Sequence, residues 1–188
     1  MVNQPKPTAA IFGGSFDPPH QGHQKIVQKA VDTLKMDLLI ILPAYRNPFK
    51  DSSMAHAQKR LEWCHHLFDD TPKVVVDDYE ISQGKSVRTS QSIRHFNAQY
   101  DVKYLIIGAD NLSTLTQWHE FEWLNKRITW VIATREGYPI QTEMLRSWRI
   151  LEVDIPASST AVREEQKLHD IDSKIKQSVH ETIKDKNT

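Results

Sequence analysis

His20 and His23 stand three residues apart in the stretch GGSFDPPHQGH, residues 13–23, which also carries Gly13, Gly14, Pro18 and Pro19. Histidines at that spacing share one face if the segment opens a helix, and prolines just ahead of them suit a tight turn and a first helical turn. Free N–H groups and the dipole at a helix N-terminus attract phosphate, so paired imidazoles there would face an anion. The glycines permit positive φ and a close approach of backbone to a ligand. The chemistry these residues suit is phosphate recognition.

Other phosphate and metal motifs fit less well. No Gly-Lys-Ser/Thr closes the stretch, the GKS at 84–86 has Tyr79 where a P-loop needs its leading glycine, and no GxGxxG occurs. Zinc would need carboxylate or thiolate partners at suitable spacing, and the CHH at 64–66 reads as mid-helix with no second cluster. A Gly/Pro turn with incidental histidines is the plain alternative, and the strand–turn–helix setting weighs against it.

That setting comes from the flanking elements. TAAIFG (8–13) reads as a strand and QGHQKIVQKAVDTLK (21–35) as a helix with Ile26, Val27, Ala30 and Leu34 inward. DLLIILP (37–43) is continuously apolar, as in a parallel sheet covered on both faces. A helix near 54–69, a strand KVVVDD and a helix near 89–99 follow, then a strand at 103–110 and a helix in WHEFEWLNK. Strands at 128–135 and 149–155 and a helix over 159–183 complete the chain. The alternation predicts an α/β fold, a doubly wound, mainly parallel, Rossmann-like sheet in a single domain over 1–188, with its ligand beyond the carboxyl ends of the strands.

Lys plus Arg and Asp plus Glu are 24 each, so the formal charge is zero and neither nucleic acid nor a membrane surface is an expected partner. The single cysteine, Cys64, forms no internal disulfide, and MVNQPKPTAA lacks a signal-peptide pattern, so a cytoplasmic location is expected. No apolar run approaches the roughly 18 residues of a membrane span.

The stretch at 13–23 resembles the signature of nucleotidyltransferases with a (T/H)xGH motif. In its GG(S/T)FDPxHxGH form it is similar to that of the bacterial nicotinate-nucleotide adenylyltransferases. NPFK (47–50), IIGAD (106–110) followed by QW (117–118), and SSTAVR (158–163) fit the same family in the same order. The resemblance implies transfer of adenylyl from ATP to nicotinate mononucleotide, with pyrophosphate released and magnesium carried by the substrate phosphates rather than by a protein metal site. It implies His20 and His23 as catalytic donors, and an ATP site of Gly13, Gly14, Ser15, Phe16, His20, His23, Gly108, Asp110, Ser159, Thr160 and Arg163. Asp110 would accept from ribose hydroxyls, and Arg163 would clamp the β- and γ-phosphates. The acceptor site would comprise Gly14, Ser15, Arg46, Lys50, Thr89, Trp118 and Arg135, with Trp118 against the nicotinate ring and Arg88 a further candidate phosphate contact. The helix N-terminus is expected to disfavour imidazolium in the empty site.

Two segments depart from the family pattern. Phe49 stands where a histidine is usual, and SVRTS (86–90) replaces Ser-Tyr-Thr with a match only at Thr89. Nicotinamide mononucleotide or phosphopantetheine as acceptor, or a non-catalytic nucleotide-binding module, are the alternatives, and homo-oligomerisation stays open.

Overall fold

In a computed structural model of the chain, residues 4–46, 53–153 and 168–186 are described. Six parallel strands form one sheet in the order β3-β2-β1-β4-β5-β6. They are β1 (Thr8–Gly14), β2 (Leu38–Pro43), β3 (Val74–Val76), β4 (Asp101–Gly108), β5 (Thr129–Ala133) and β6 (Trp148–Leu151). The order reverses direction between β1 and β4, which opens a crevice beyond their carboxyl ends.

The residues explain the layering. β2 is buried from its second residue onward, as a strand covered on both faces must be. Alternate residues of each strand feed separate cores. Ala10, Phe12, Leu39 and Ile41 join one cluster, while Ala9, Ile11, Ile40 and Leu42 join the other. The first face is covered by α1 (Gln21–Thr33), α2 (Ala57–Phe68) and α6 (Ser173–Lys186), the helices that supply Ile26, Val27, Cys64, Leu67, Ile175 and Val179 to its cluster. The second is covered by α4 (Thr89–Phe96), a 3₁₀ helix over Ala109–Gln117 and α5 (Phe121–Arg127), through Ile93, Leu112, Leu115 and Leu124. A single turn, α3 (Tyr79–Ser82), lies between β3 and α4.

Ile26, Val27, Ala30 and Leu34 are all buried, as their helical spacing predicts. Trp63 and Trp130 are core residues whose indole N–H groups donate to Ser178 Oγ and Asn125 Oδ1, both at 3.0 Å. Trp148 is exposed, and Trp123 lies beneath the Arg94 and Arg127 guanidinium groups.

Several boundaries differ from expectation. The segment after β4 winds as 3₁₀ before α5 begins at Phe121. There Asn111 Nδ2 donates to Gly108 O and Thr114 Oγ1 to Asn111 O, local bonds that compete with an α-helical ladder. The helix at 89–99 ends at Phe96, where Asn97 turns its side-chain oxygen to the Val102 N–H. The last helix begins at Ser173, after a short 3₁₀ turn at Leu168–Asp170, because Asp172 Oδ1 accepts from the Lys174 N–H. The expected first part of that helix, 159–167, lies outside the described residues.

Candidate active site

The first helix begins at Gln21, so both prolines precede it, and the two histidines cap it. His20 is the N-cap and His23 the third helical residue. Nδ1 of His20 accepts from the Gly22 N–H at 3.1 Å, and Nδ1 of His23 accepts from the His20 N–H at 3.1 Å. This is a capping box built from two imidazoles. Its consequence is chemical. With each Nδ1 acting as an acceptor, the neutral rings must carry their proton on Nε2. The ring centroids are 3.9 Å apart, so two Nε2–H donors are fixed side by side at the end of β1.

Burial holds His20 neutral, lowering its pKa to about 4, with the nearby Arg135 charge acting in the same direction. The expected cause was the helix N-terminus. The residue is only 6% exposed, and removal from water is the leading cause of the shift.

The glycines act differently from expectation too. Gly13 and Gly14 are the extended last residues of β1, and the positive φ of the turn falls on Phe16, at 47°. A Cβ on Gly14 would press within 3.2 Å of the Phe16 ring. That ring is buried under His23, centroids 4.9 Å apart, and forms its floor. At Gly108 a Cβ would meet Oδ1 of Asp110, so a side chain there would displace that carboxylate.

A cavity of about 510 Å³ opens at the crevice between β1 and β4. Gly13, Gly14, Ser15, Arg46, Thr89 and Trp118 all line it. Trp118 packs edge-on against Trp130 at 6.3 Å, and its indole N–H is a buried donor without a partner among the described residues. The loops are tied to one another: Ala44 N–H donates to Gly14 O at 2.9 Å, and Ser86 Oγ to Arg46 O at 3.2 Å.

Asp110 and Arg135 do not border this cavity. Arg135 pairs with Asp110 at 3.1 Å, beyond the ends of β4 and β5 and close enough to His20 to lower its pKa. The structure therefore puts Arg135 on the histidine side, away from Thr89 and Trp118, and Asp110 is already engaged rather than projecting freely. Lys50, Phe49, Ser159, Thr160 and Arg163 lie outside the described residues.

Sequence reasoning missed several groups. Arg60 is 1% exposed and donates to Ser15 O at 2.6 Å, Tyr45 O at 2.8 Å and Ala55 O at 3.2 Å. The buried Asp17 carboxylate accepts from the Met54 and Ala55 N–H groups at 2.7 and 2.9 Å. Burial lowers the Arg60 pKa, while the neighbouring Asp17 charge opposes that shift. Position 60 lies on the stripe of α2 that also holds Cys64 and Leu67, so a cation at an inward position was a readable signal. Glu80 and His119, also missed, line the cavity, and no local pattern marks either. Glu120, next to His119, accepts from both Arg94 guanidinium nitrogens at 2.6 and 2.7 Å and from Ser90 Oγ at 2.7 Å. These bonds, Arg94 foremost, lower its pKa to about 2 and tie the start of α5 to α4.

Among the described residues, no cluster of three or more His, Cys, Asp or Glu could hold a metal ion, and no helix is long and apolar enough to cross a membrane.

A family model described as cytidylyltransferase-like matches residues 11–165. A protein of Sulfurovum sp. (strain NBC37-1), named "Probable nicotinate-nucleotide adenylyltransferase", is 71% identical over 186 residues, covering 99% of each chain. One of the same name from Campylobacter fetus is 41% identical over 180 residues, 95% of this chain and 97% of that one. The solved structure of the Plasmodium falciparum nicotinic acid mononucleotide adenylyltransferase complexed with NaAD superposes with a TM-score of 0.71. Its identity is 18%, with 96% of each chain covered, a likeness of fold.

Proposed function

We propose the following mechanism from one premise: the chain belongs to the nicotinate-nucleotide adenylyltransferases, within the cytidylyltransferase-like nucleotidyltransferases. Its reaction is adenylyl transfer from ATP to nicotinate mononucleotide, giving nicotinate adenine dinucleotide and pyrophosphate in NAD biosynthesis. The substrates are small molecules. A phosphate oxygen of the acceptor forms a bond to the α-phosphorus of ATP as the bond to the pyrophosphate oxygen breaks. This displacement requires alignment and charge stabilisation, and no protein nucleophile.

The observation that carries this reading is the reciprocally capped histidine pair at the head of α1, which follows the loop whose Gly13, Gly14 and Ser15 line the cavity. His20 and His23 present Nε2–H donors without any reorganisation, and they donate to the ATP phosphates as charge develops on the bridging oxygen. Bound triphosphate favours imidazolium, reversing the effect of burial on His20. Gly13, Gly14 and Ser15 bring backbone against the phosphates, with Phe16 supporting His23 from below. Asp110 exchanges Arg135 for the ribose hydroxyls of ATP, which frees the guanidinium for a phosphate. Ser159, Thr160 and Arg163 complete the donor side as contacts to the β- and γ-phosphates.

On the acceptor side Arg46 and Lys50 take the nucleotide phosphate and Trp118 lies against the nicotinate ring. Backbone N–H groups around Thr89, at the N-terminus of α4, donate to the nicotinate carboxylate. The described phosphate-facing groups are imidazoles, guanidinium groups, hydroxyls and backbone N–H groups; of the nearby carboxylates, Asp110 is paired to Arg135 and Glu80 is bonded to Ser92. Such a set suits phosphate oxygens, and magnesium, held by the ATP phosphates, would supply charge neutralisation there. A cytoplasmic address suits a reaction that consumes ATP.

Pyrophosphate release measured with a panel of acceptor nucleotides tests the assignment. Nicotinate mononucleotide should exceed its amide by at least about 10²-fold in kcat/KM, because a carboxamide turns NH₂ donors toward N–H groups in a desolvated pocket. Comparable values for the two would show that the Thr89 segment does not read the carboxylate. Turnover of phosphopantetheine instead would overturn the assignment.

A further inference from the structure

The acceptor cavity contains a group that an anionic substrate should not welcome. Glu80, on α3, is 9% exposed and forms part of the cavity wall with Ser92 of α4. Nicotinate mononucleotide brings a phosphate and a ring carboxylate, so an ionised Glu80 would place another negative charge in a partly desolvated space. Ser92 Oγ donates to its Oε1 at 2.7 Å, and no lysine or arginine forms an ion pair with it among the described residues. One hydroxyl does not compensate a buried carboxylate.

The charged and titratable groups that share the cavity come from each surrounding element. They are Arg46 after β2, Arg88 at the head of α4, and His119 after the 3₁₀ helix. On the far side of α3, Tyr79 stacks on His95 at 3.8 Å, ring to ring. Burial pushes the Glu80 pKa up to about 7, and the Ser92 bond pulls it back.

We propose that Glu80 is a specificity-determining residue of the acceptor cavity: uncharged, it admits an acceptor bearing a carboxylate, and its ionisation turns that acceptor away more than the carboxamide counterpart. This inference rests on the cavity being the acceptor site. The neutral carboxyl keeps one oxygen on the Ser92 hydroxyl and offers an O–H that a substrate oxygen can accept. Loss of that proton removes a donor and adds a repulsive charge together. The acid acceptor feels both changes, and the amide feels mainly the first.

The test is the ratio of kcat/KM for nicotinate mononucleotide to that for nicotinamide mononucleotide, from pH 6 to 8.5 at saturating ATP and magnesium. Groups acting equally on both nucleotides, including their shared phosphate and the capped histidines, cancel in the ratio. In the wild-type enzyme it should fall about tenfold across the range. In Glu80→Gln it should stay within about twofold. In Ser92→Ala the fall should move to higher pH, because the hydroxyl that favours the ionised carboxylate is gone; this second variant decides the matter if the first does not fold. An undiminished fall in Glu80→Gln would assign the effect to another group, His119 foremost, and overturn the proposal, as would a flat wild-type ratio. Failure of the wild-type enzyme to use either nucleotide at any pH would instead overturn the acceptor-site reading.

Discussion

Arg60→Lys separates positioning from charge. In the folded chain one guanidinium holds three carbonyls from three segments: Ser15 behind the glycines of β1, Tyr45 just before Arg46, and Ala55 ahead of α2. A lysine keeps the charge beside Asp17 but cannot span three acceptors set around a planar fork. At least two of these carbonyls lose their donor, at about 1–3 kcal/mol each, so the variant should be destabilised by about 2–6 kcal/mol. Guanidinium denaturation at pH 7 reads that change directly. The functional effect is separate, because Ser15 lines the cavity and Tyr45 sits between Ala44 and Arg46, which also line it, so both loops border the proposed substrate site. A shift of about 1 Å between them is enough to cost about 10²-fold in turnover. Measured well below its melting transition, Arg60→Lys should therefore lose kcat strongly, while the Kd of an ATP analogue and of nicotinate mononucleotide, each titrated alone, change little. A variant that is destabilised as expected yet turns over within threefold of wild type would refute the coupling of the two loops. One destabilised by under about 0.5 kcal/mol would refute the hydrogen-bond argument itself.

His23→Ala and His20→Ala should each fold and lose at least about 10²-fold in kcat, the scale for removing one preorganised donor; near wild-type turnover in both would remove the pair from catalysis. Asp110→Asn keeps the shape but gives up the partner of Arg135 and a charged acceptor for ribose, so KM for ATP should rise about tenfold while KM for the acceptor changes little. Steady-state kinetics with each substrate varied in turn distinguishes that outcome from a general loss.

The legible parts of this protein are those in which local pattern and tertiary role coincide. α1 buries the residues its periodicity selects, and the unbroken apolar run of β2 belongs to a strand with neighbours on both sides. The placement of the two histidines at the head of α1 was readable because it is local: two rings, three residues apart, cap one helix. Leu168, Ile171 and Ile175 keep near-helical spacing through a 3₁₀ turn, so periodicity ran past the point where Asp172 ends the coil and opens α6. Glu80 meets Ser92 from a separate element, Arg135 reaches Asp110 from the next strand, and Arg60 meets Ser15 across the interior. Such pairs have no signature within a window of sequence, apart from the inward cation of α2.

His20 and Glu80 also bias stability in opposite directions over one pH range, and single variants should expose this. His20 has a folded pKa near 4 against 6.5 in the unfolded chain. Between those values the unfolded state binds the extra proton, so the His20 contribution is lost as pH falls from 6.5 towards 4. Glu80 has a folded pKa near 7 against 4.5 unfolded. Between those values the folded state holds the extra proton, so its contribution is lost as pH rises from 4.5 towards 7. Each slope amounts to about 3 kcal/mol across its window, and in the wild-type protein they oppose one another between about pH 4.5 and 6.5. Glu80→Gln should therefore lose stability on acidification through that interval more steeply than wild type, whereas His20→Gln should shift the slope the other way. Urea denaturation at half-unit pH steps, with each variant compared to wild type, cancels the carboxylates common to all three. Parallel stability curves for the three proteins would mean that neither group is held away from its solution pKa, and would remove the physical basis for a neutral His20 and a neutral Glu80 together.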